Sequence, residues 1–267
     1  MLPSKTKQPI GIFDSGVGGL SVFNQLIKQL PHENIIYFAD SINCPYGSKN
    51  ITQIKKLAQR ILEFLIQQDC KLIIVACNTV SVNAIDYLRT LTKLSLVAIE
   101  PATKLAISKT RTGQIGILAT PKTFKGKLFL QTKKNNAQQV KIYTQPGYGL
   151  VKQIETGELN SAKTKKILIE NLNNLTNKNI DQLVLGCTHY PLLLPLIKRK
   201  INKKINIIDP APAVALQVKK QLIVRKILNL QKKTGNYIFY TTGQTQILKG
   251  FLSVKVIKNS KIKQIKL

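Results

Sequence analysis

The chain has 267 residues, of which 43% are hydrophobic, and a formal net charge of +29 at pH 7. This length suits about two domains, and the hydrophobic content supplies ordinary cores, which excludes a disordered chain. The first residues contain no apolar segment of signal-peptide length, and the longest apolar run, 72–77, is far shorter than a membrane span. We therefore expect a cytoplasmic protein with no membrane segment.

The positive charge suggests a nucleic-acid partner, but its make-up argues against a specific one. Only five of the 41 basic residues are arginine, the side chain that most often contacts phosphate and guanine. The lysines are spread along the chain, and there is no arginine-rich stripe. A nucleic-acid-binding protein stays as an alternative from another class, and we expect nucleic acid to bind at most nonspecifically.

Short apolar, β-branched runs alternate with helical patterns along the whole chain. Nine runs predict strands, at 10–14, 34–39, 71–76, 96–99, 114–119, 140–143, 182–186, 205–208 and 237–240. Segment 52–68 predicts a helix, because its apolar residues recur every three or four positions. This alternation predicts βαβ units with buried parallel sheets, divided between two α/β domains. The last segment, 254–267, alternates apolar residues with lysine and predicts a charged edge strand or tail.

The first predicted strand leads into a glycine-rich turn at 15–21, with the sequence S-G-V-G-G-L-S. It begins like the G-x-G-x-x-G loop of dinucleotide sites, and Asp40 follows near the spacing of a ribose ligand. However, Ser21 replaces the third glycine, and Asp14 would set a carboxylate beside the pyrophosphate. An NAD-dependent enzyme remains an alternative, and the N–H groups at the helix start would equally suit a substrate carboxylate.

Two predicted strands are each followed by a cysteine and then by small polar residues, in the sequences A-C-N-T at 76–79 and G-C-T-H at 186–189. Ligands of open α/β sheets bind beyond the carboxyl ends of the strands, so Cys77 and Cys187 lie where a site is expected, one in each half. No two of the four cysteines have C-x-x-C spacing, which argues against a metal or redox pair. Inert packing in a core is the alternative for each cysteine.

Four segments, in order along nearly the whole chain, closely resemble glutamate racemases of the aspartate/glutamate racemase superfamily. They are 11–19, 39–41 with 45–47, 76–79 and 186–192, and the motifs at 100–102 and 209–211 add to them. The resemblance implies two flavodoxin-like α/β lobes with parallel sheets and an active site in the cleft between them. We assign 1–99 with 210–267 to the first lobe and 100–209 to the second.

The resemblance also implies racemisation of L-glutamate to D-glutamate without a cofactor or a metal, for peptidoglycan synthesis, by a homodimer. An aspartate or hydantoin racemase of the same superfamily is the nearest alternative. The histidine that follows Cys187 and Thr188, together with the turn at 45–47, favours glutamate.

By this resemblance Cys77 deprotonates D-glutamate and Cys187 deprotonates L-glutamate. Thiols suit a reaction that needs an acid and a base on opposite faces of one carbon, because their pKa near 8.5 allows thiol and thiolate to coexist. Asp14 is expected to hold the substrate ammonium or relay its proton, and His189 to tune or reprotonate Cys187. The remaining predicted substrate contacts are Ser15, Asn78, Thr79 and Thr188 for the α-carboxylate, and Pro45, Tyr46 and Gly47 for the side chain, with Thr120 adding a hydroxyl.

Four further residues have weaker signals. We expect Cys44 to lie near the pocket without a catalytic role and Cys70 to be a packing residue. Asp40 is expected either to bind substrate or to cap its turn. The helix that carries Glu155 matches the family only loosely, so the sequence assigns that residue no role.

Overall fold

The structure is a computed structural model that describes residues 5–100, 102–136 and 140–267. Pro101 of the 100–102 motif and residues 1–4 of the assigned first lobe therefore lie outside the described residues. The strands are β1 (Ile10–Asp14), β2 (Ile35–Ala39), β3 (Leu72–Val75), β4 (Leu96–Ala98), β5 (Gln114–Ala119), β6 (Lys141–Pro146), β7 (Gln182–Gly186), β8 (Asn206–Ile208), β9 (Tyr237–Thr241) and β10 (Ser260–Gln264). Each of the nine predicted strands is present, with small differences at the ends.

Helices fill the connections between the strands. They are α1 (Leu20–Gln29), α2 (Ile51–Gln67), α3 (Asn78–Thr90), α4 (Thr103–Lys109), α5 (Pro121–Phe124), α6 (Lys127–Asn135), α7 (Leu150–Glu155), α8 (Ala162–Thr176), α9 (Leu194–Lys200), α10 (Ala211–Val224), α11 (Thr245–Gly250) and α12 (Val254–Lys258). The helix predicted at 52–68 is α2, which begins at a capping box formed by Asn50 and Gln53. None of the helices in the described part has the length and apolar character of a membrane span.

The strands form two parallel sheets, which confirms the predicted fold class. The first sheet has the order β10-β9-β2-β1-β3-β4 and the second the order β6-β5-β7-β8. Every residue of β1, β2, β3 and β7 is buried, because parallel sheets are covered by helices on both faces.

Each sheet has a point at which the strand order reverses. In the first sheet the chain moves from β1 to β2 on one side and then to β3 on the other, and in the second it moves from β5 to β6 and then to β7. Such switch points leave a crevice at the carboxyl ends of the two strands, where ligands bind. Asp14 and Cys77 stand at the switch point of the first sheet, and Thr120 and Cys187 at that of the second.

The end of the chain returns to the first sheet. β9 pairs with β2, and β10 pairs with β9 at the sheet edge, so the charged edge strand predicted within 254–267 is present after a short helix, α12. The proposed division at 99/100 and 209/210 leaves each sheet whole within one lobe. We retain those bounds as a proposal.

Candidate active site

A narrow cavity with room for about one water molecule lies between the two lobes. Eleven of the twelve sequence-predicted site residues line it, together with Val151 of α7, which the sequence did not indicate. The lining residues are Ser15, Pro45, Tyr46, Gly47, Cys77, Asn78, Thr79, Thr120, Val151, Cys187, Thr188 and His189. The twelfth predicted residue, Asp14, is fully buried and accepts a hydrogen bond from Thr188 Oγ1 at 3.2 Å.

The two predicted cysteines reach this cavity from different lobes. Cys77 follows β3 and precedes the first turn of α3, while Cys187 follows β7. Cys77 Sγ lies 3.7 Å from Ser15 Oγ, and Cys187 Sγ lies 3.8 Å from His189 Nδ1. Burial raises the pKa of the Cys77 thiol, and the Asp14 carboxylate raises it further, so Cys77 is a neutral thiol at neutral pH.

His189 is joined to Glu155, at the end of α7, by a hydrogen bond of 2.5 Å from Nε2 to Oε1. Burial by itself lowers the pKa of His189, but contacts with Cys187, Cys44 and Glu155 outweigh it and hold that pKa well above 6.5. Burial raises the pKa of Glu155, but the hydrogen bonds that it accepts outweigh burial and the net shift is downward. His189 is therefore a cation beside Cys187, with Glu155 as its counter-ion.

Glu155 is the functional residue that sequence reasoning did not assign. Besides His189 it binds the N–H of Val17 at 2.7 Å and the hydroxyl of Ser41 at 2.9 Å, so it joins α7 to two loops of the first lobe. The only sequence signal is that Glu155 is one of just 12 acidic residues in the chain. That signal does not reveal its partners, which lie 34 to 138 positions away.

The glycine-rich turn packs against protein side chains, which occupy two of the N–H groups that we expected to suit a ligand carboxylate. The N–H of Val17 binds Glu155, and that of Gly19 binds Asp14 Oδ2 at 2.7 Å. A Cβ at Gly16 would lie 2.0 Å from Glu155 Oε1, and one at Gly18 would lie 2.4 Å from His189 Nδ1. The space that a dinucleotide would need is filled, which removes support for the NAD-dependent alternative.

The two predicted aspartates have different surroundings. Burial raises the pKa of Asp14, and its Oδ1 atom has no hydrogen-bond partner. Asp40, by contrast, accepts hydrogen bonds from Tyr46, Asn43 and Thr242 and does not line the cavity. The structure thus favours the turn-holding role for Asp40 over substrate contact.

Asn78, the first residue of α3, carries the clearest mark of a ligand site. Its side chain is 2% exposed, it lines the cavity, and neither its Oδ1 nor its Nδ2 has a hydrogen-bond partner. Leaving a buried amide unpaired costs about 1–3 kcal/mol for each group, so such an arrangement persists where a ligand satisfies it. Nearby, Thr79 Oγ1 and Thr120 Oγ1 meet at 3.1 Å across the two lobes.

The other two cysteines lie as the sequence suggested. Cys70 is buried in the core of the first lobe, where burial raises the pKa of its thiol to about 12. Cys44 is partly exposed, and its Sγ lies 4.0 Å from His189 Nε2 and 3.9 Å from Ser15 Oγ. Burial raises the pKa of Cys44 to about 11, although His189 opposes the rise. Both are thiols at neutral pH.

Fold and site together define a two-lobed α/β enzyme in which each lobe contributes one thiol to a small polar cavity. The sequence model of the Asp/Glu/Hydantoin racemase family matches residues 10–218. The glutamate racemase of Herpetosiphon aurantiacus is 42% identical over 236 residues, which cover 88% of this chain and 93% of that protein. The chain therefore belongs to the Asp/Glu/Hydantoin racemase family, among its glutamate racemases.

Solved structures agree with this assignment. A glutamate racemase isoform from Bacillus anthracis has a TM-score of 0.87 and 29% identity, and 98% of each chain is covered. The glutamate racemase of Francisella tularensis, solved in complex with D-glutamate, has a TM-score of 0.82 and 31% identity, again with 98% of each chain covered. The resemblance noted in the sequence is thus confirmed.

Proposed function

We propose that this chain interconverts L- and D-glutamate by removing the α-proton with the sulfur of one of the residues Cys77 and Cys187 and delivering a proton from the other. The observation that carries the proposal is that these two buried thiols reach one cavity from opposite lobes. A racemase has to remove a proton from one face of a carbon and deliver another to the opposite face. A thiol on each side of the substrate supplies both groups.

In the proposed step from the L enantiomer, the Cys187 thiolate takes the α-proton while the Cys77 thiol gives its proton to the other face. The electron pair of the broken C–H bond spreads into the α-carboxylate and returns to form the new C–H bond. Cys77 is then the thiolate and Cys187 the thiol, and the step from the D enantiomer runs in reverse. Burial favours the neutral thiol of Cys77, which is the form that a proton donor needs in this direction.

His189 and Asp14 would restore the protonation states between turnovers. His189 Nδ1 lies 3.8 Å from Cys187 Sγ, at a distance suited to proton exchange. The Asp14 carboxylate is close enough to Cys77 to raise the pKa of its thiol, and one of its oxygen atoms has no hydrogen-bond partner. We infer that this oxygen faces the substrate ammonium group or relays its proton, and that Glu155 is a positioning residue that keeps His189 protonated and oriented.

The carboxylates of glutamate would be held by donors that line the cavity. We assign the α-carboxylate to Ser15, Asn78, Thr79 and Thr188, whose hydrogen bonds would also stabilise the enolate-like charge of the intermediate. We assign the side-chain carboxylate to Thr120 and the turn Pro45–Tyr46–Gly47. The Tyr46 hydroxyl donates to Asp40 at 2.5 Å, so the backbone N–H groups of this turn are the proposed donors.

Substrate entry would require the lobes to separate. Of the empty space in the cavity, only about 10 Å³ is open to the centre of a water molecule, which is room for about one water. Glutamate is much larger than water. After closure the same tight packing would keep water away from the carbanion.

The test follows the circular dichroism of L- and D-glutamate with the purified chain and no added cofactor. We expect both enantiomers to racemise, and in D₂O we expect the product enantiomer to gain deuterium at the α-carbon. Cys77→Ala and Cys187→Ala should each abolish racemisation, while Cys70→Ala, a buried cysteine outside the site, should retain it. Undiminished racemisation in either site variant would refute the two-thiol mechanism. If the chain turns over aspartate or a hydantoin faster than glutamate, that compound is the substrate and glutamate is not.

We further propose, from the family, that the chain acts in the cytoplasm as a homodimer and supplies D-glutamate for peptidoglycan synthesis. Light scattering on the purified chain tests the dimer. Depletion of the protein, followed by rescue with external D-glutamate, tests the supply role.

A further inference from the structure

Three metal-binding side chains converge beside the cavity. Among the described residues, Cys44, Glu155 and His189 bring one sulfur, one oxygen and one nitrogen atom within 4.8 Å of one another. Cys44 Sγ lies 4.0 Å from His189 Nε2, which in turn lies 2.5 Å from Glu155 Oε1. We call this group the Cys-Glu-His cluster.

The cluster has nearly the spacing that a tetrahedral zinc ion imposes. Zn²⁺ binds sulfur at about 2.3 Å and nitrogen or oxygen at about 2.0 Å, which puts its ligand atoms about 3.3–3.5 Å apart. Cys44 Sγ would approach His189 by about 0.5 Å, and His189 and Glu155 would move apart by about 0.8 Å. The third pair of ligand atoms, from Cys44 and Glu155, lies within 4.8 Å and would approach by up to about 1.3 Å. The mixed sulfur, nitrogen and oxygen donors suit zinc and do not suit Mg²⁺ or Ca²⁺, which prefer oxygen.

Neighbouring groups already orient the cluster. Ser41 Oγ donates to Glu155 Oε2 at 2.9 Å, and the N–H of Val17 donates to Oε1 at 2.7 Å. Such outer contacts fix the direction of metal ligands and strengthen binding. The ion could reach the cluster from the side of Cys44 and Glu155, which are both partly exposed, whereas His189 is buried.

We propose that Cys44, Glu155 and His189 bind a single Zn²⁺ ion that ties the two lobes together and stops His189 from returning a proton to Cys187. Cys44 lies in the first lobe and the other two ligands in the second. On binding, the thiol proton of Cys44 and the Nε2 proton of His189 pass to the buffer, and the fourth position stays open to water. The ion inhibits the enzyme and takes no part in proton transfer. The inhibition rests on the proposed function, whereas the binding does not.

The binding test is a calorimetric titration of the reduced, metal-free chain with Zn²⁺. We expect one site per chain, and we expect Cys44→Ala to lower the affinity at least about 100-fold, because even outer-shell changes cost 10- to 100-fold. Cys70→Ala is the matched control and should bind as the wild type does. Co²⁺ should give a thiolate-to-cobalt absorption band that is absent in Cys44→Ala and present in Cys70→Ala.

Equal zinc affinity in Cys44→Ala and the wild type would overturn the proposal, as would the absence of binding. So would a loss of affinity that follows Cys187→Ala but not Cys44→Ala, since zinc would then lie on the other side of His189. In the racemase assay, Cys44→Ala should raise the half-inhibitory Zn²⁺ concentration by the same factor as its dissociation constant. If the wild type has no racemase activity, the proposed function fails, and calorimetry still decides the zinc site.

Discussion

Gly18→Ala tests whether the position of His189 matters for turnover. A Cβ at Gly18 would lie 2.4 Å from His189 Nδ1 and 2.7 Å from its Cε1 and Cγ atoms. An ordinary non-bonded separation is about 3.5 Å, so the ring has to move by about 1 Å. The backbone of Gly18 is not in the left-handed region, so alanine brings no backbone strain there. Any change in activity therefore comes from the displacement of the His189 ring.

That displacement would disturb both contacts of the ring, the one with Cys187 at 3.8 Å and the hydrogen bond to Glu155 at 2.5 Å. A misplacement of about 1 Å in a catalytic group can cost about 100-fold in rate, equivalent to about 2.7 kcal/mol. We therefore expect kcat/KM to fall about 100-fold. Because the two enantiomers have equal free energy in water, kcat/KM has to fall by the same factor in both directions.

The assay is circular dichroism of each enantiomer, with thermal unfolding to verify that the variant is folded. Gly250→Ala is the matched control, because a Cβ there meets nothing within 4 Å and the backbone is not left-handed. It should keep wild-type activity. A folded Gly18→Ala variant with kcat/KM within about 3-fold of the wild type would refute the role given to the position of His189.

Three further predictions concern binding, stability and pH. Asn78→Ala should raise KM for glutamate about 10- to 100-fold without lowering the unfolding temperature, because its amide has no partner in the protein; unchanged KM would contradict this. Lys71→Met should cost about 3–5 kcal/mol in urea unfolding, since it leaves the buried Glu33 carboxylate without its cation, and adding Glu33→Gln should recover part of the loss. Glu155→Gln should move the alkaline limit of kcat/KM to lower pH, because it removes one of the contacts that raise the pKa of His189. The raised pKa also stabilises the folded protein: this stabilisation is full below pH 6.5 and is lost as the pH rises through the folded pKa of His189. If the alkaline limit of kcat/KM is the same in the variant and the wild type, the role given to the Glu155–His189 pair is wrong.

Much of the fold followed from local patterns. The β-branched runs predicted nine strands, because most strands of a parallel sheet are buried on both faces and are therefore apolar. The motifs at 76–79 and 186–189 predicted that Cys77 and Cys187 follow strand ends, and in the structure these strand ends are the switch points of the two sheets. The predicted cleft residues lie in short motifs that resemble those of glutamate racemases, most of them next to a strand end.

The tertiary structure alone decided what these motifs touch. Glu155 lies in a helix without a recognisable motif, and only tertiary packing brings its carboxylate to His189 in the same lobe and to Val17 in the other. The same packing fills the glycine-rich turn with side chains, although its sequence is typical of a phosphate loop. Local sequence fixes strands, turns and the groups at their ends, because those depend on neighbouring residues. Charge pairing and the shape of the cavity depend on contacts between segments 34 to 138 positions apart, which no local pattern encodes.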